Sequence, residues 1–205
     1  MDARITLAAS QLARMRGMTA MYHRRFFFDV NVASVLTVSL LLVGWWGIPE
    51  AFLLIPVVVL VGAVQTAFDA SYLVFARSYA ARLEAFINEA AETDILVAAK
   101  MEDAYLFPLG QRKVVTVPLG GGFSWFSFVT MFYTMLGMGS FGFGLALGWQ
   151  SLRDGPPGLA TVYLVTVFGL AIAALATGLW WFVGGEGERR LDEVLDGAFG
   201  PFDGD

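Results

Sequence analysis

Four stretches of this chain carry no charge over a length that few soluble domains tolerate: 30–48, 51–68, 123–149 and 159–183. A helix crosses the hydrocarbon core of a bilayer with about 20 consecutive apolar residues. Backbone groups in lipid must also satisfy one another, which helices do internally. The four runs therefore predict an all-α fold, a polytopic helical membrane protein with four transmembrane helices. The first run lies behind an arginine-rich stretch too long for a signal-peptide n-region, and no A-x-A-like site closes it, so it is expected to be a retained helix. The partner that follows directly is the lipid bilayer.

The six tryptophans test this reading independently. Trp45, Trp46, Trp125, Trp149, Trp180 and Trp181 all stand at ends of these runs, where an indole keeps its ring buried and its N–H wet. A helix from Trp125 to Trp149 would rise about 36 Å, one interfacial belt to the other. Twelve of the 13 Lys and Arg residues fall before the first run, between the second and third, or after the fourth, and only Arg153 falls elsewhere. The positive-inside bias then predicts a multi-pass protein of the cell inner membrane with both termini cytoplasmic.

Composition removes several functions. Charged residues make up 15% of the chain, against about a quarter in soluble domains. No cysteine is present, which excludes disulfides, iron–sulfur clusters and thiolate zinc sites, and His23 is the lone histidine. A net charge of −5 argues against a nucleic-acid surface. No nucleophile–base pair or metal-ligand cluster can be assembled from the motifs, so no enzyme activity and no cofactor is expected.

The expected organisation has six parts. Residues 1–28 form a cytoplasmic amphipathic helix, with Ile5, Leu12, Met15, Thr19, Tyr22 and Phe26 at helical steps. The first transmembrane hairpin is 29–69, turned at Gly47-Ile48-Pro49-Glu50. Residues 70–103 continue the second helix as a cytoplasmic stalk, with Tyr72, Phe75, Tyr79, Leu83, Phe86, Ala90, Val97 and Met101 in rhythm and a weak point at Asp94. Opposite charge and matched stripes predict that the N-terminal helix and the stalk pair antiparallel. Residues 104–122 read as a short cytoplasmic β-hairpin and a Gly120-Gly121-Gly122 joint. The second hairpin is 123–183, turned at 151–158, and 184–205 is an acidic cytoplasmic tail with one short amphipathic helix.

Asp29 and Asp69 flank the first hairpin within reach of Arg24, Arg25 and Arg77, so an interfacial ion pair locking the hairpin is one reading and a cation-attracting ring the other. Gln65 lies one turn from Asp69 on the same helix face, and Asn31 sits near that depth. On the third run, Ser127, Thr130 and Thr134 form the start of a polar stripe that either packs or lines a narrow path. Asn31, Gln65, Asp69, Ser127, Thr130 and Thr134 are therefore the candidate polar path. The run "GSFGFG" at 139–144 lacks both the threonine and the re-entrant setting of a potassium filter, and it misses the G-x-G-x-x-G spacing by one. Its glycines read instead as helix packing: Gly137, Ser140, Gly144 and Gly148, with Gly169 and Ala173 of the fourth run as the expected partner stripe.

The segment "YHRRFFFDVNVASVLTVSLLLVGWW", a tight turn, a second span and "YLVFARSYAARLEAF" resemble the SLATT-type (SMODS- and SLOG-associated two-transmembrane) bacterial membrane effectors over residues 20–90. That resemblance rests on arrangement and on Tyr79, Leu83 and their neighbours, and implies a membrane pore. The leading expectation is thus a pore-forming or ion-channel-like homo-oligomer gated by cytoplasmic helices. The alternatives are a non-conducting accessory or scaffold subunit that binds a cytoplasmic protein partner through its stalk and tail, and a small transporter.

Overall fold

The computed structural model describes residues 3–107, 109, 113–114, 117–118 and 124–200. Six α-helices account for nearly all of them: α1 (Ala3–Trp45), α2 (Leu54–Ala90), α3 (Ala98–Tyr105), α4 (Trp125–Arg153), α5 (Leu159–Gly178) and α6 (Glu186–Phe199). A 3₁₀ turn, Pro49–Leu53, leads into α2, and a π-helical turn, Leu179–Val183, follows α5. Four helical stretches, Ala3–Trp45, Pro49–Ala90, Trp125–Arg153 and Leu159–Val183, are long and apolar enough to cross a membrane.

The chain divides into two compact units. The first comprises Met1–Arg25, Phe68–Thr130 and Trp180–Asp205; the second comprises Phe26–Ala67 and Met131–Leu179. The second unit holds most of the apolar runs, and its core is built around one short segment, Ala51–Ile55. Ile55 is wholly buried and Phe52 is 5% exposed. Gly44 of α1 clears space for the Phe52 ring, since a Cβ there would lie 2.4 Å from it. Trp45 meets the same ring edge to face at 6.3 Å. The Tyr163 hydroxyl of α5 donates to the Leu53 carbonyl at 2.6 Å.

The glycine pair of α4 closes on that segment. A Cβ at Gly144 would meet Ile55 Cβ at 2.8 Å and the Phe52 carbonyl at 3.0 Å, and one at Gly148 would meet Leu53 Cδ2 at 2.4 Å. The seam expected of these glycines exists, but its partner is the start of α2 rather than the fourth run. Gly169 has nothing within 4 Å of a built Cβ, and both it and Ala173 are exposed. The fourth run serves through bulk instead, by Val167, 2% exposed, and Phe168, whose ring lies 6.1 Å from Phe141. Gly137 makes only ordinary contact with Val59 at 3.6 Å, and Ser140 is half-buried. The outward faces are apolar: Val35, Val61, Met138, Val165 and Ile172 are each exposed. Water would make such surfaces costly, and a bilayer would not.

In the first unit α1 and α2 pair antiparallel as expected. Ala8 and Met15 of α1 pack on Ala80, Leu83 and Ile87 of α2, with Ile5, Leu12 and Met18 alongside. Wholly buried Ala76 and Ala80 are small enough to let the helices approach closely. Tyr22 stacks on Tyr72 at 4.9 Å. The buried line of α2 runs through Leu73, Ala76, Ala80, Leu83 and Ile87, so Tyr72 and Phe75 sit at its edge.

The stalk departs from its expected continuity. α2 ends at Ala90, Glu92 takes a left-handed conformation (φ 50°), and the chain folds back. The Asn88 side chain enforces the reversal: its amide donates to the Leu96 carbonyl at 2.8 Å and its oxygen accepts from the Leu96 N–H at 3.1 Å. Residues 98–105 then form α3, so 104–105 are helix rather than the start of a hairpin. Of the hairpin expected over 104–122, the described residues hold a single two-residue ladder, Lys113 opposite Pro118 and Val114 opposite Val117. That pairing is too short to form a sheet layer, and the rest of the segment, with the glycine joint, lies outside the described residues.

The seam gives a graded prediction. Gly144→Ala is expected to cost about 1–3 kcal/mol, because a carbonyl and a Cβ cannot swing away. Gly148→Ala should cost less, since its nearest neighbour is the end of a flexible leucine. Gly169→Ala should stay within about 0.5 kcal/mol of the parent. Unfolding midpoints in detergent micelles check the order, and equal effects at the three positions would dismiss the seam.

Candidate functional site: a charge clamp on α3

Charged side chains of three helices meet in the first unit. The Arg77 side chain of α2 has no exposed surface. Its Nε donates to Glu102 at 3.1 Å, and its Nη2 donates to Asp103 at 2.8 Å and to the Phe107 carbonyl at 3.1 Å. Its guanidinium also lies 4.4 Å over the Phe107 ring, a favourable cation–π placement. Arg16 of α1 bridges Glu102 and Glu84 from the other side. The second oxygen of Glu84 accepts the Ala99 N–H at 2.8 Å, a carboxylate set on the first turn of α3. Two cations thus alternate with three carboxylates, and every link crosses from one helix to another or to the segment after α3.

That segment continues the same contact. Leu106 accepts a hydrogen bond from Ser124, whose hydroxyl lies 3.0 Å from that of Ser127 and accepts the Ser127 N–H at 3.1 Å. Phe107, 1% exposed, packs its ring 5.7 Å from Phe126, which His23 meets edge to face at 5.4 Å. The clamp therefore fixes Glu84, Glu102 and Asp103 around two guanidiniums, with the start of α4 packed on Phe107. Desolvating such charges is expensive, and these pairings offset part of that cost, with Arg77 Nη1 buried and without a hydrogen-bond partner.

α3 is held in an unusual manner. None of its residues is buried. Its acidic face is turned to the clamp, while Met101 and Tyr105 are 67% and 79% exposed, as are Ile95 and Val97 of the segment just before it at 78% and 41%. Burial of apolar surface, the ordinary reason for a helix to dock, contributes little here.

The anticipated residues divide. Asp69 is wholly buried, and its carboxylate lies 3.3 Å from Arg25 Nε in an ion pair between α2 and α1. Arg77 is taken by Glu102 and Asp103, eight residues further along α2 than Asp69, and so does not serve that pair. Asp29 is half-buried with one carboxylate oxygen enclosed, and Arg24 is exposed. Ser127 is wholly buried, and Thr130, 9% exposed, donates to the Phe126 carbonyl of its own helix at 3.0 Å. Thr134 and Asn31 are exposed, and Gln65 is half-buried. Among the described residues, no three His, Cys, Asp or Glu side chains converge as metal ligands.

The residues missed from sequence are Arg16, Glu84, Glu102 and Asp103 as one network. Their signal was the charge contrast between the first helix and the stalk, which gave the pairing but not the fold-back. Arg77→Met is expected to destabilise the first unit by about 3–5 kcal/mol, the usual cost of leaving buried charge uncompensated. Amide exchange across 96–105 should accelerate in step. By contrast, Arg189→Gln on exposed α6 should leave the unfolding midpoint unchanged, since its bonds to Glu186 and Glu193 are solvated. Equal behaviour of the two variants would show that the clamp holds nothing.

No family model matches the chain, and the comparisons with curated proteins and with solved structures return no match.

Proposed function

We propose that the protein is a non-catalytic membrane scaffold of the bacterial inner membrane, with four spans, both termini cytoplasmic, and a protein partner received on α3. One observation carries the reading: α3 spends its acidic face on being held and displays its apolar face. A short helix arranged in that manner is suited to being bound, as an exposed apolar stripe rimmed by polar groups marks an interaction surface. The tryptophans support the membrane placement, since Trp45, Trp46, Trp125 and Trp149 are all exposed at ends of the apolar runs.

A homo-oligomeric pore is the second reading, favoured by how little of each span the chain itself covers: 22% of the second apolar window is buried and 6% of the fourth. Copies could pack on those faces, with exposed Asn31 and Thr134 turned to the contact. A path lined by Asp69 fits less well, because that carboxylate is enclosed within its own chain. The SLATT-type resemblance supports this pore reading, and a small transporter has no feature of its own in its favour.

Two measurements separate the readings. Purified protein in planar bilayers is expected to show no stepwise conductance, and Met101→Glu is expected to release the co-purifying partner without moving the unfolding midpoint. Reproducible single-channel steps, lost on changing Thr134 or Asn31, would replace the scaffold by the pore.

A further inference from the structure

A second receiving surface lies under the C-terminal helix. Leu195 of α6 is 4% exposed, and Phe199 packs on the α1–α2 core, 6.1 Å from the Tyr79 ring and 6.0 Å from that of Phe86. Between them Asp196 pairs with Arg82, which also donates to the Gly200 carbonyl at 3.5 Å. Arg82 itself is 9% exposed, so this α2 surface is a nearly closed cationic socket between two aromatic walls. What fills it has a simple signature: an apolar residue, an acid next to it, and an aromatic three residues later on one helix turn.

The attachment of α6 is uneven. Its first turn is held tightly, with Gly187 so close to Trp181 that a Cβ would lie 2.6 Å from the indole nitrogen. That indole donates to Ser71 at 3.0 Å, and Arg190 lies 5.7 Å from the Trp180 ring. Glu186 is half-buried and accepts from both Arg189 and Arg190, which holds its carboxyl below the usual range. Just before it, Gly184 and Gly185 form the joint, with Gly185 in a left-handed conformation (φ 71°) that suits glycine. The outer face of α6 is solvated and carries Asp192 and Glu193, with Val194 70% exposed. The far end is held through Leu195, Asp196, Phe199 and the Gly200 carbonyl, beyond a joint of two glycines.

We infer that the Tyr79–Arg82–Phe86 surface of α2 is a receptor for an acidic amphipathic helix of a protein partner, and that α6 occupies it in cis as a displaceable cover. The charge complementarity sets the partner's chemistry: an acid to meet Arg82, flanked by an aliphatic and an aromatic anchor. This goes beyond the scaffold reading and does not rest on the α3 face, because a different helix and different residues form the surface.

The test uses full-length protein in nanodiscs holding one chain each, and a labelled synthetic peptide of residues 185–200 as the probe. The double variant Asp196→Ala, Phe199→Ala unseats the cover without touching α2. It is expected to bind the peptide at least tenfold more tightly than the parent chain does. Adding Arg82→Glu should remove that gain, and a peptide carrying Asp196→Arg should restore it, a charge swap that mere loss of folding would not rescue. Amide exchange in α6 should also rise at least tenfold in the double variant while that of 8–20 in α1 stays put. Equal binding to parent and variant, no binding to either, or indifference to Arg82→Glu would overturn the inference. Conductance measured on the same discs would bear on the scaffold reading alone.

Discussion

A guanidinium sealed from water needs hydrogen-bond acceptors, and Arg77 finds three in residues distant in sequence, while its Nη1 is buried without one. Glu102, Asp103 and the Phe107 carbonyl reach it only because the chain reverses after Ala90. The reversal and the clamp are therefore one event: Asn88 sets the turn, Glu84 takes the Ala99 N–H in the first turn of α3, and Arg16 ties the result to α1. Replacing the whole network with apolar side chains could well stabilise a fold of this kind, which is the general finding for buried ion pairs. What the charges provide is a single register for α3, since a helix with no buried side chain has no other means of choosing one.

The second unit is organised by opposite means. Among the described residues of this unit no charged side chain is fully buried, and position is set by how closely backbones approach. Phe52, Leu53 and Ile55 receive α1 through Gly44, α4 through Gly144 and Gly148, and α5 through Tyr163. Small residues give helices in lipid the contact area that water would otherwise drive them to find. One unit thus relies on electrostatics and the other on shape.

Much of this was legible in the chain, and what escaped did so for definable reasons. The apolar runs announced four helices able to span a membrane, because length and absence of charge are local properties. The pairing of α1 with α2 was legible from two stripes and opposite charge. The glycine seam was correctly placed at Gly144 and Gly148, but its partner was not, since close packing depends on which backbone arrives and Gly169 is only a candidate. The break after Ala90 left no proline or glycine to see. It is written in Asn88 and Leu96, eight residues apart, through hydrogen bonds that exist only once the turn is made. Arg77 was singled out for the right reason, a cation near an interface, yet assigned to the nearer acids.

The two short connections of the second unit are alike in length and unlike in role. Pro49–Leu53 contains the buried Phe52, against which α1 and α4 pack, and the Leu53 carbonyl that α5 bonds, whereas Asp154, Pro156, Pro157 and Gly158 are exposed and Gly158 turns with φ 85°. A visiting sequence such as a short epitope or a fluorescent reporter would be carried at 154–158 as a passenger. The same insertion at 49–53 would pry apart the hub itself. Sidedness of the molecule can accordingly be read by labelling one hairpin only, and the choice of hairpin is dictated by a single phenylalanine.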